Sequence, residues 1–351
     1  MEKNIDIREN AIEWYISNEL IYKKLAKKID NILTEIFNSR NINYHIVNSR
    51  SKDIDSFREK INNEKYDNPI EQIKDLAGIR IITYVEDEVE IVCKLIEEIF
   101  NIDKVNSLDK STELGIDKVG YKSVHFVASL KDDRLKLPEY KIFENRFFEI
   151  QVRTILQHAW AEIEHDRNYK FSGKLPNEIN RRFKLLAGSL EISDREFNNI
   201  SREIDEISKE VETRTKKGNL NFELSSTSVK QFLETRFKEL FTNGYELIQK
   251  MNDNIINELS SFDLKTLQDL DKIIPKDLIK VLQNNKIELK NRISFTGLVR
   301  LILIINNSEK YFTKSWDTQW KTWSSEKNFD NIFNHYKVDK KGILEKYDVE
   351  L

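Results

Sequence analysis

The fold of this chain is decided by the stretch EIQVRTILQHAWAEIEHD, residues 149–166, in which two hydrophobic periods meet without a break. Up to Arg153, polar and apolar residues alternate, which is typical of a half-buried strand. From Ile155 onward, apolar residues recur at helical spacing, as Ile155, Ala159 and Ile163 do. The stretch therefore predicts a strand that runs directly into a helix. The strand carries an acid, an amide and a base on one face, and the helix carries two histidines.

Strand and helix patterns also mix on the N-terminal side of this stretch. Further strands are predicted near residue 44, at 79–85 and after Gly120, and helices are predicted at 10–39, 56–61 and 88–100. From residue 176 to the C-terminus the patterns are helical, with many Glu and Lys residues at helix spacing. The sequence predicts an α+β fold followed by an all-helical C-terminal region.

The predicted organisation has four parts. They are an N-terminal helical segment at 1–43, a core domain with its C-terminal helices at 44–217, a linker at 218–228 and a helical accessory region at 229–351. Gly218 and the run Ser225 to Ser228 favour the linker because such residues interrupt helical patterns. The accessory region is a candidate for regulation.

Composition excludes several classes of protein. The net charge is −3 over 351 residues, so any basic binding site must be a local cluster. The single cysteine, Cys93, excludes an internal disulfide and a thiolate-rich zinc site, and its apolar neighbours predict a buried core position. No stretch approaches the length of a membrane span, so we expect a cytoplasmic protein that does not bind membranes.

The first polar cluster combines basic and hydroxyl side chains. Arg50 and Lys52 alternate on an extended segment, while Ser56 and Lys60 are four residues apart and share a helix face. Convergent cations and hydroxyls suit a polyphosphate, although a solvated basic face explains the same pattern.

A second cluster is DLAGIR, residues 75–80, in which Asp75 precedes a turn and Arg80 follows it on a strand. Mg²⁺ bound with nucleotide phosphates needs only one or two protein carboxylates, and Asp75 and Glu149 are the candidates. The alternative is that Asp75 caps a turn and Arg80 is a surface charge.

The third cluster lies in GYKSVH, residues 120–125. Tyr121, Ser123 and His125 share a strand face, where an aromatic ring, a hydroxyl and an imidazole are able to contact a base and a sugar. The alternative is a sheet face with a packed tyrosine. The two histidines of the helix, His158 and His165, are seven residues apart, which does not match the HExxH zinc pattern.

Taken in order, these motifs resemble the synthetase domain of the RelA/SpoT alarmone enzymes over roughly residues 40–172. The motifs are RSKDIDSFREK at 50–60, DLAGIR at 75–80, GYKSVH at 120–125, EIQVRT at 149–154 and WAEIEH at 160–165. The resemblance implies a mixed central sheet of the nucleotidyltransferase type. It also implies a reaction, transfer of the β,γ-pyrophosphate of ATP to the 3′-hydroxyl of a ribonucleotide, usually GDP or GTP, with Mg²⁺ as cofactor and AMP as product.

The resemblance also implies roles for individual residues. Asp75 and Glu149 would bind Mg²⁺ and form the catalytic pair. The residues implied to bind ATP are Arg50, Lys52, Ser56, Lys60 and Arg80. The residues implied to contact the acceptor are Tyr121, Ser123, His125, Gln151, Arg153 and His158.

Departures from the family pattern leave part of the function open. No His precedes His45, so we expect no alarmone hydrolase domain, and His158 stands where small alarmone synthetases have Asn, which leaves the acceptor open. The alternative function is a toxic synthetase that pyrophosphorylates the 3′ end of tRNA and is restrained by residues 220–351. Small synthetases often assemble as homo-oligomers, which the extra C-terminal region could block.

The C-terminal region carries Trp316, Trp320 and Trp323 on one predicted helix face. These residues fit either the core of a small helical domain or an exposed surface for an intramolecular or protein partner.

Overall fold

The computed structural model describes residues 2–62, 66–109, 123–170, 176–242, 246–248, 254–285, 292–316 and 330–347. The chain divides into two compact units, Met1–Ser201 and Arg202–Leu351. The division falls inside the long helix Asn177–Lys216, so the boundaries predicted around residues 217 and 228 remain predictions.

The N-terminal unit contains a mixed sheet, as the sequence predicts. Its strands are β1 (Ile46–Ser51), β2 (Ala77–Thr83), β3 (Phe100–Ile102), β4 (Leu108–Asp109), β5 (Val124–Leu130) and β6 (Phe148–Thr154). The order is β1-β2-β6-β5-β3, with β4 paired to β5. Strands β2 and β6 are parallel, and the remaining pairs are antiparallel.

Helices surround this sheet. They are α1 (Glu2–Ser39), α2 (Ile54–Ile61), α3 (Pro69–Gln72), α4 (Glu86–Ile99), α5 (Asp132–Leu135), α6 (Ile155–Lys170) and α7 (Asn177–Lys216), with a 3₁₀ turn at Pro138–Phe143. The strand predicted near Tyr44 begins two residues later, at Ile46, because the chain first leaves α1 through a turn in which Ile42 donates to the Phe37 carbonyl.

One face of the sheet is apolar and forms the core of the unit. Ile79, Ile81, Ile150 and Val152 pack there against buried side chains of α1 and α4. This burial is the main stabilising contribution to the fold. Cys93 on α4 is only partly buried and packs at the edge of this core, contrary to the prediction of full burial.

The opposite face of the sheet is polar. The strand registers place Gly78 beside both Arg50 and Glu149, and they place Gln151 beside both Arg80 and His125. Because successive side chains of a strand alternate between faces, these residues and Arg153 share the face away from α1.

The C-terminal unit is mainly helical. After α7 its helices are α8 (Ser226–Arg236), α9 (Lys238–Thr242), α10 (Ile255–Ser261), α11 (Leu267–Ile273), α12 (Leu278–Asn284), α13 (Phe295–Lys310), α14 (Asp330–His335) and α15 (Lys340–Tyr347), with a π-helical turn at Tyr311–Ser315. The structure adds a small parallel sheet of β7 (Glu246–Ile248) and β8 (Arg292–Ser294) to the predicted helices.

The core of this unit is apolar, with α13 largely buried in it. Trp316 is partly buried against Phe312, which favours the core interpretation for that residue. Trp320 and Trp323 lie outside the described residues. Among the helices that the structure describes, none combines the length and the apolar character needed to cross a membrane.

Candidate active site

A cavity of about 300 Å³ lies between β1, the start of α2, β2 and β6. The predicted site residues that line it are Arg50, Lys52, Ser56, Asp75, Arg80, Glu149 and Gln151. These residues come from three separate sequence motifs, and the sheet registers bring them together. The predicted donor-binding and metal-binding residues therefore converge on one site.

The N-terminus of α2 is set by a residue that the sequence analysis did not single out. The Asp53 side chain accepts a hydrogen bond from the Ser56 amide at 2.8 Å and caps the helix. Helical spacing then places Ser56 and Lys60 one turn apart. The motif D-x-x-S was a usable signal for this cap.

Asp75 lies between α3 and β2 and forms two ion pairs. Its Oδ2 atom is 3.0 Å from Lys52 Nζ and 2.6 Å from Lys60 Nζ. Its Oδ1 atom is buried and has no hydrogen-bond partner among the described residues. Burial alone would raise the pKa of Asp75, but the two lysines hold that pKa below its usual range. Asp75 is therefore charged, with one oxygen unpaired.

Glu149 is the centre of a hydrogen-bonded chain along β5 and β6. Its Oε1 atom is 3.1 Å from His125 Nδ1, and its Oε2 atom accepts from Gln151 Nε2 at 2.9 Å. Arg153 donates to the side-chain oxygen Oε1 of Gln151, and this contact fixes the orientation of the Gln151 side-chain amide. Ser123 Oγ lies 2.9 Å from His125 Nε2 and completes the chain.

The chain of hydrogen bonds determines protonation states. Since the Glu149 carboxylate accepts, His125 Nδ1 carries a hydrogen, while His125 Nε2 forms a hydrogen bond with the Ser123 hydroxyl. Burial would raise the pKa of Glu149, but the hydrogen bonds from His125 and Gln151 keep that pKa below its usual value. Glu149 is thus ionised and fixed in position.

A cluster of basic groups lies beside this chain. Arg153 is 6% exposed, and burial followed by the charge of Arg80 lowers its pKa. The same two causes, in the same order, lower the pKa of His158. Arg80 donates to Glu162 at 2.8 Å, while His158 Nδ1 lies 3.8 Å from the same carboxylate. The cluster combines two guanidinium groups with an imidazole, which suits an anion.

Glu162 was not predicted from the sequence, because it lies 82 residues from its partner Arg80. Its position four residues after His158 placed it on the same helix face, but nothing in the sequence connected that face to β2.

The remaining predicted residues lie around the cavity. Lys60 reaches it through Asp75, and Ser123 and His125 line a larger neighbouring cavity of about 1000 Å³. Tyr121 falls in residues 110–122, outside the described part of the chain, so its predicted contact with a base stays a prediction.

Two carboxylates of the cavity are candidate ligands for a metal ion. The described residues contain no group of three or more His, Cys, Asp and Glu side chains that could bind a metal ion. Asp75 and Glu149 nevertheless line one cavity, and Mg²⁺ carried by nucleotide phosphates needs only one or two protein carboxylates. The unpaired Asp75 Oδ1 is a suitable ligand atom, so the residues fit Mg²⁺ bound together with phosphate.

A comparison with known protein families matches the region that contains this cavity. Residues 49–174 match the family described as the region found in RelA/SpoT proteins. The chain is 29% identical over 173 residues to the GTP pyrophosphokinase YjbM of Bacillus subtilis, covering 49% of this chain and 78% of that protein. It is 30% identical over 145 residues to the GTP pyrophosphokinase YwaC of the same organism, covering 38% and 61%.

Among solved structures, the small alarmone synthetase 1 from Bacillus subtilis is similar with a TM-score of 0.47 and 26% identity. The similarity covers 55% of this chain and 98% of that one.

Proposed function

We propose, from the premise that the chain carries a RelA/SpoT-type synthetase domain, that it is an ATP-dependent pyrophosphokinase acting on GDP or GTP. The observation that carries this proposal is a cavity of the described residues in which basic side chains lie beside the two acids Asp75 and Glu149. The 3′-hydroxyl oxygen of the acceptor attacks the β-phosphorus of ATP. The bond from that phosphorus to the α,β-bridging oxygen breaks, and AMP leaves.

The donor end of the cavity is suited to ATP. Arg50 and Arg80 lie on adjacent strands of the polar face, with Gly78 opposite Arg50. A Cβ atom added to Gly78 would meet only the Arg50 carbonyl oxygen, at 3.9 Å. Because glycine has no side chain, the space between the two guanidinium groups stays open. A flat adenine ring fits between them, because guanidinium groups stack on aromatic faces.

The phosphates of ATP would lie beside Lys52, Ser56 and Lys60. Both lysines already pair with Asp75, so they are held near the cavity before any nucleotide binds. Phosphoryl-type transfer depends mainly on such positioning and on neutralising charge.

Mg²⁺ would be held by Asp75 and Glu149 and would neutralise charge that develops on the transferred group. The chain's own contribution is to keep both acids ionised and oriented. The lysines do this for Asp75, while His125 and Gln151 do it for Glu149.

The acceptor would bind at the other end of the polar face. The Arg153 guanidinium and the His158 imidazole lie there, and Ser123 and His125 border the larger cavity. A neutral His158 would contact a base by hydrogen bonding rather than by charge, since burial lowers its pKa. Phosphates of the acceptor would lie near Arg153.

The proposal is tested with γ-labelled ATP, Mg²⁺ and the purified full-length protein, with GDP, GTP, ATP and deacylated tRNA as separate acceptors. We expect label on GDP or GTP and none with the Glu149→Ala variant. Label on tRNA alone would replace this proposal with a translation-blocking toxin. A variant lacking residues 220–351, assayed in parallel, is expected to be more active if the C-terminal region restrains the synthetase.

A further inference from the structure

The junction between β6 and α6 contains no loop. Strand β6 ends at Thr154, and helix α6 begins at the next residue, Ile155. Arg153 directly precedes the end of the strand, and His158 lies in the first turn of the helix. The position of the Arg153 guanidinium relative to the His158 imidazole therefore depends on the backbone geometry at Thr154.

Reciprocal hydrogen bonds cap α6 at this junction. The Gln157 amide donates to Thr154 Oγ1 at 3.2 Å, and the Thr154 amide donates to Gln157 Oε1 at 3.0 Å. This is the capping-box arrangement, in which two side chains pair with backbone amides that have no partner within the helix. Thr154 is 0% and Gln157 is 7% exposed, so water competes little for these bonds. The capping box fixes the residue at which α6 begins.

An acid from α7 orients both members of the capping box. Asp194 Oδ2 accepts from Thr154 Oγ1 at 2.7 Å and from Gln157 Nε2 at 3.3 Å. Asp194 is 2% exposed and lies 40 residues from Thr154 in the chain. A hydroxyl has one hydrogen and two lone pairs, so the bond to Asp194 leaves the lone pairs of Thr154 for the helix amide. In the same way, the bond to the Gln157 amide nitrogen leaves Gln157 Oε1 for the Thr154 amide.

A second buried pair anchors α7 one helical turn further along. Asn198 is 4% exposed and faces Asp87 at the start of α4. The Asp87 amide donates to Asn198 Oδ1 at 2.9 Å, and Asn198 Nδ2 donates to Asp87 Oδ1 at 3.1 Å. This anchor joins α7 to α4, whereas Asp194 joins α7 to the junction of β6 and α6. The two anchors can therefore be broken separately.

We propose that Asp194 is a positioning residue for the acceptor nucleotide. Asp194 orients the capping box, and the capping box sets the start of α6 against the end of β6. The side chains of Arg153 and His158 are thereby held at one spacing for the phosphates and the base of the acceptor. Groups arranged before the nucleotide arrives bind it at a lower entropic cost. The inference rests on the proposed function, in which these two side chains contact the acceptor.

The sign of the effect separates positioning from charge. Asp194 is an acid bonded to the residue that follows Arg153, so removing its charge alone would strengthen the binding of an anionic nucleotide. Loss of positioning would weaken that binding. Asp194→Ala removes the charge and the hydrogen bonds together. Asp194→Asn removes the charge but keeps an acceptor oxygen for the Thr154 hydroxyl.

Initial rates with labelled ATP, Mg²⁺ and the full-length protein, at varied GDP and then at varied ATP, test the proposal. We expect Asp194→Ala to raise the KM for GDP on the order of tenfold. The KM for ATP should stay within about twofold of the wild-type value, because the side chains proposed to face ATP lie on β1, β2 and α2. Asp194→Asn should restore the wild-type KM for GDP.

The matched control is Asn198→Ala, which breaks a buried hydrogen-bonded pair of the same helix away from the junction. It should lower the thermal midpoint and leave the KM for GDP unchanged. A KM for GDP that stays the same or falls in Asp194→Ala would overturn the proposal. So would an equal rise in Asn198→Ala, because displacement of α7 as a whole would then explain both results.

Hydrogen exchange separates a failure of this inference from a failure of the proposed function. Amide exchange of residues 154–162 is followed by mass spectrometry without any nucleotide. Asp194→Ala should speed this exchange about fivefold or more, since the first turn of α6 loses its cap. Unchanged exchange would overturn the inference whatever the acceptor is. Faster exchange in a protein that labels no guanine nucleotide would overturn the assignment of the acceptor and still support the role of Asp194 at the junction.

Discussion

Each unit of the chain contains a carboxylate paired with basic side chains, and the two clusters differ in how completely they are paired. In the C-terminal unit, Glu258 is 2% exposed, and its two oxygens accept from Arg300 and from the Tyr311 hydroxyl. In the N-terminal unit, Asp75 shares one oxygen between two lysines and buries the other without a described partner, beside a cavity.

This difference separates a structural cluster from a binding cluster. Leaving a buried polar atom unpaired costs about 1–3 kcal/mol, so a fold retains such an atom where a ligand completes the pairing. The Glu258 cluster is complete and stabilises packing in its unit. The Asp75 cluster is incomplete and faces a cavity. The two clusters should therefore respond oppositely to substitution, one through stability and the other through activity.

The largest effect is expected for Glu149→Gln. The amide keeps the shape of the side chain but removes a negative charge that the hydrogen bonds from His125 and Gln151 support. We expect pyrophosphate transfer to fall on the order of 10³-fold, with the thermal midpoint retained or raised. Initial rates and thermal unfolding measure the two effects. Glu144→Gln makes the same charge change on a half-exposed residue that pairs with Lys141, and it should leave the rate unaltered.

Glu258→Ala should have the opposite profile. It leaves the Arg300 guanidinium, whose side chain is 13% exposed, without its carboxylate. Removing one partner of a buried ion pair costs about 3–5 kcal/mol, which urea unfolding of the C-terminal unit would measure. The control is Glu309→Ala, which breaks an exposed pair with Lys346 and should not change the unfolding midpoint. If Glu258→Ala and Glu309→Ala changed the unfolding free energy equally, Glu258 would not be a structural residue. The distinction between its cluster and the Asp75 cluster would then be lost.

These two clusters also show what the sequence could predict. Alternation at Glu149, Gln151 and Arg153 was visible in one short stretch, so their shared strand face was predictable. Asp75 and the lysines were found from local spacing and from the order of the motifs. The polar chain from Ser123 to Arg153 was not predictable as a chain, because it depends on the register between β5 and β6.

Longer-range features were missed for the same reason. The pair Arg80–Glu162 joins a strand to a helix 82 residues away, and β7 pairs with β8 across 46 positions, Glu246 to Arg292. Short strands of three residues carry too little alternation to distinguish them from helix ends. Contacts of this kind are decided by tertiary packing rather than by local pattern.

Acid pH should lower the stability of the fold through protonation of Asp75. Its pKa is lower in the folded protein than the usual 3.8 of an unfolded chain, so the unfolded state binds the proton more readily. The charged carboxylate therefore stabilises the fold above about pH 4, and this contribution is lost as the pH falls through the folded pKa. In Asp75→Asn this loss should be absent.

Urea unfolding at pH 3 and at pH 6 tests this expectation. The wild-type protein and Asp75→Asn should differ more in unfolding free energy at pH 6 than at pH 3. A constant difference would mean that the lysines do not shift the pKa of Asp75.

The smallest effect is expected for Glu162→Gln. The exposed Glu162 holds Arg80, and exposed pairs contribute about 0.2–1 kcal/mol. Releasing Arg80 should lower the KM for ATP about two- to fivefold and leave kcat unchanged. An unchanged KM would indicate that Arg80 does not contact ATP, or that Glu162 does not compete for it.

The measurement that tests the central claim most directly follows both transferred phosphorus atoms. The full-length protein is incubated with Mg²⁺, GDP or GTP, and ATP labelled either at the β- or at the γ-phosphorus. If the cavity transfers pyrophosphate, both labels appear on the guanine nucleotide in equal amounts and AMP is released, and Glu149→Gln lowers all three rates on the order of 10³-fold. Transfer of the γ-label alone, with the β-label left in ADP, would contradict the account, as would no transfer of either label.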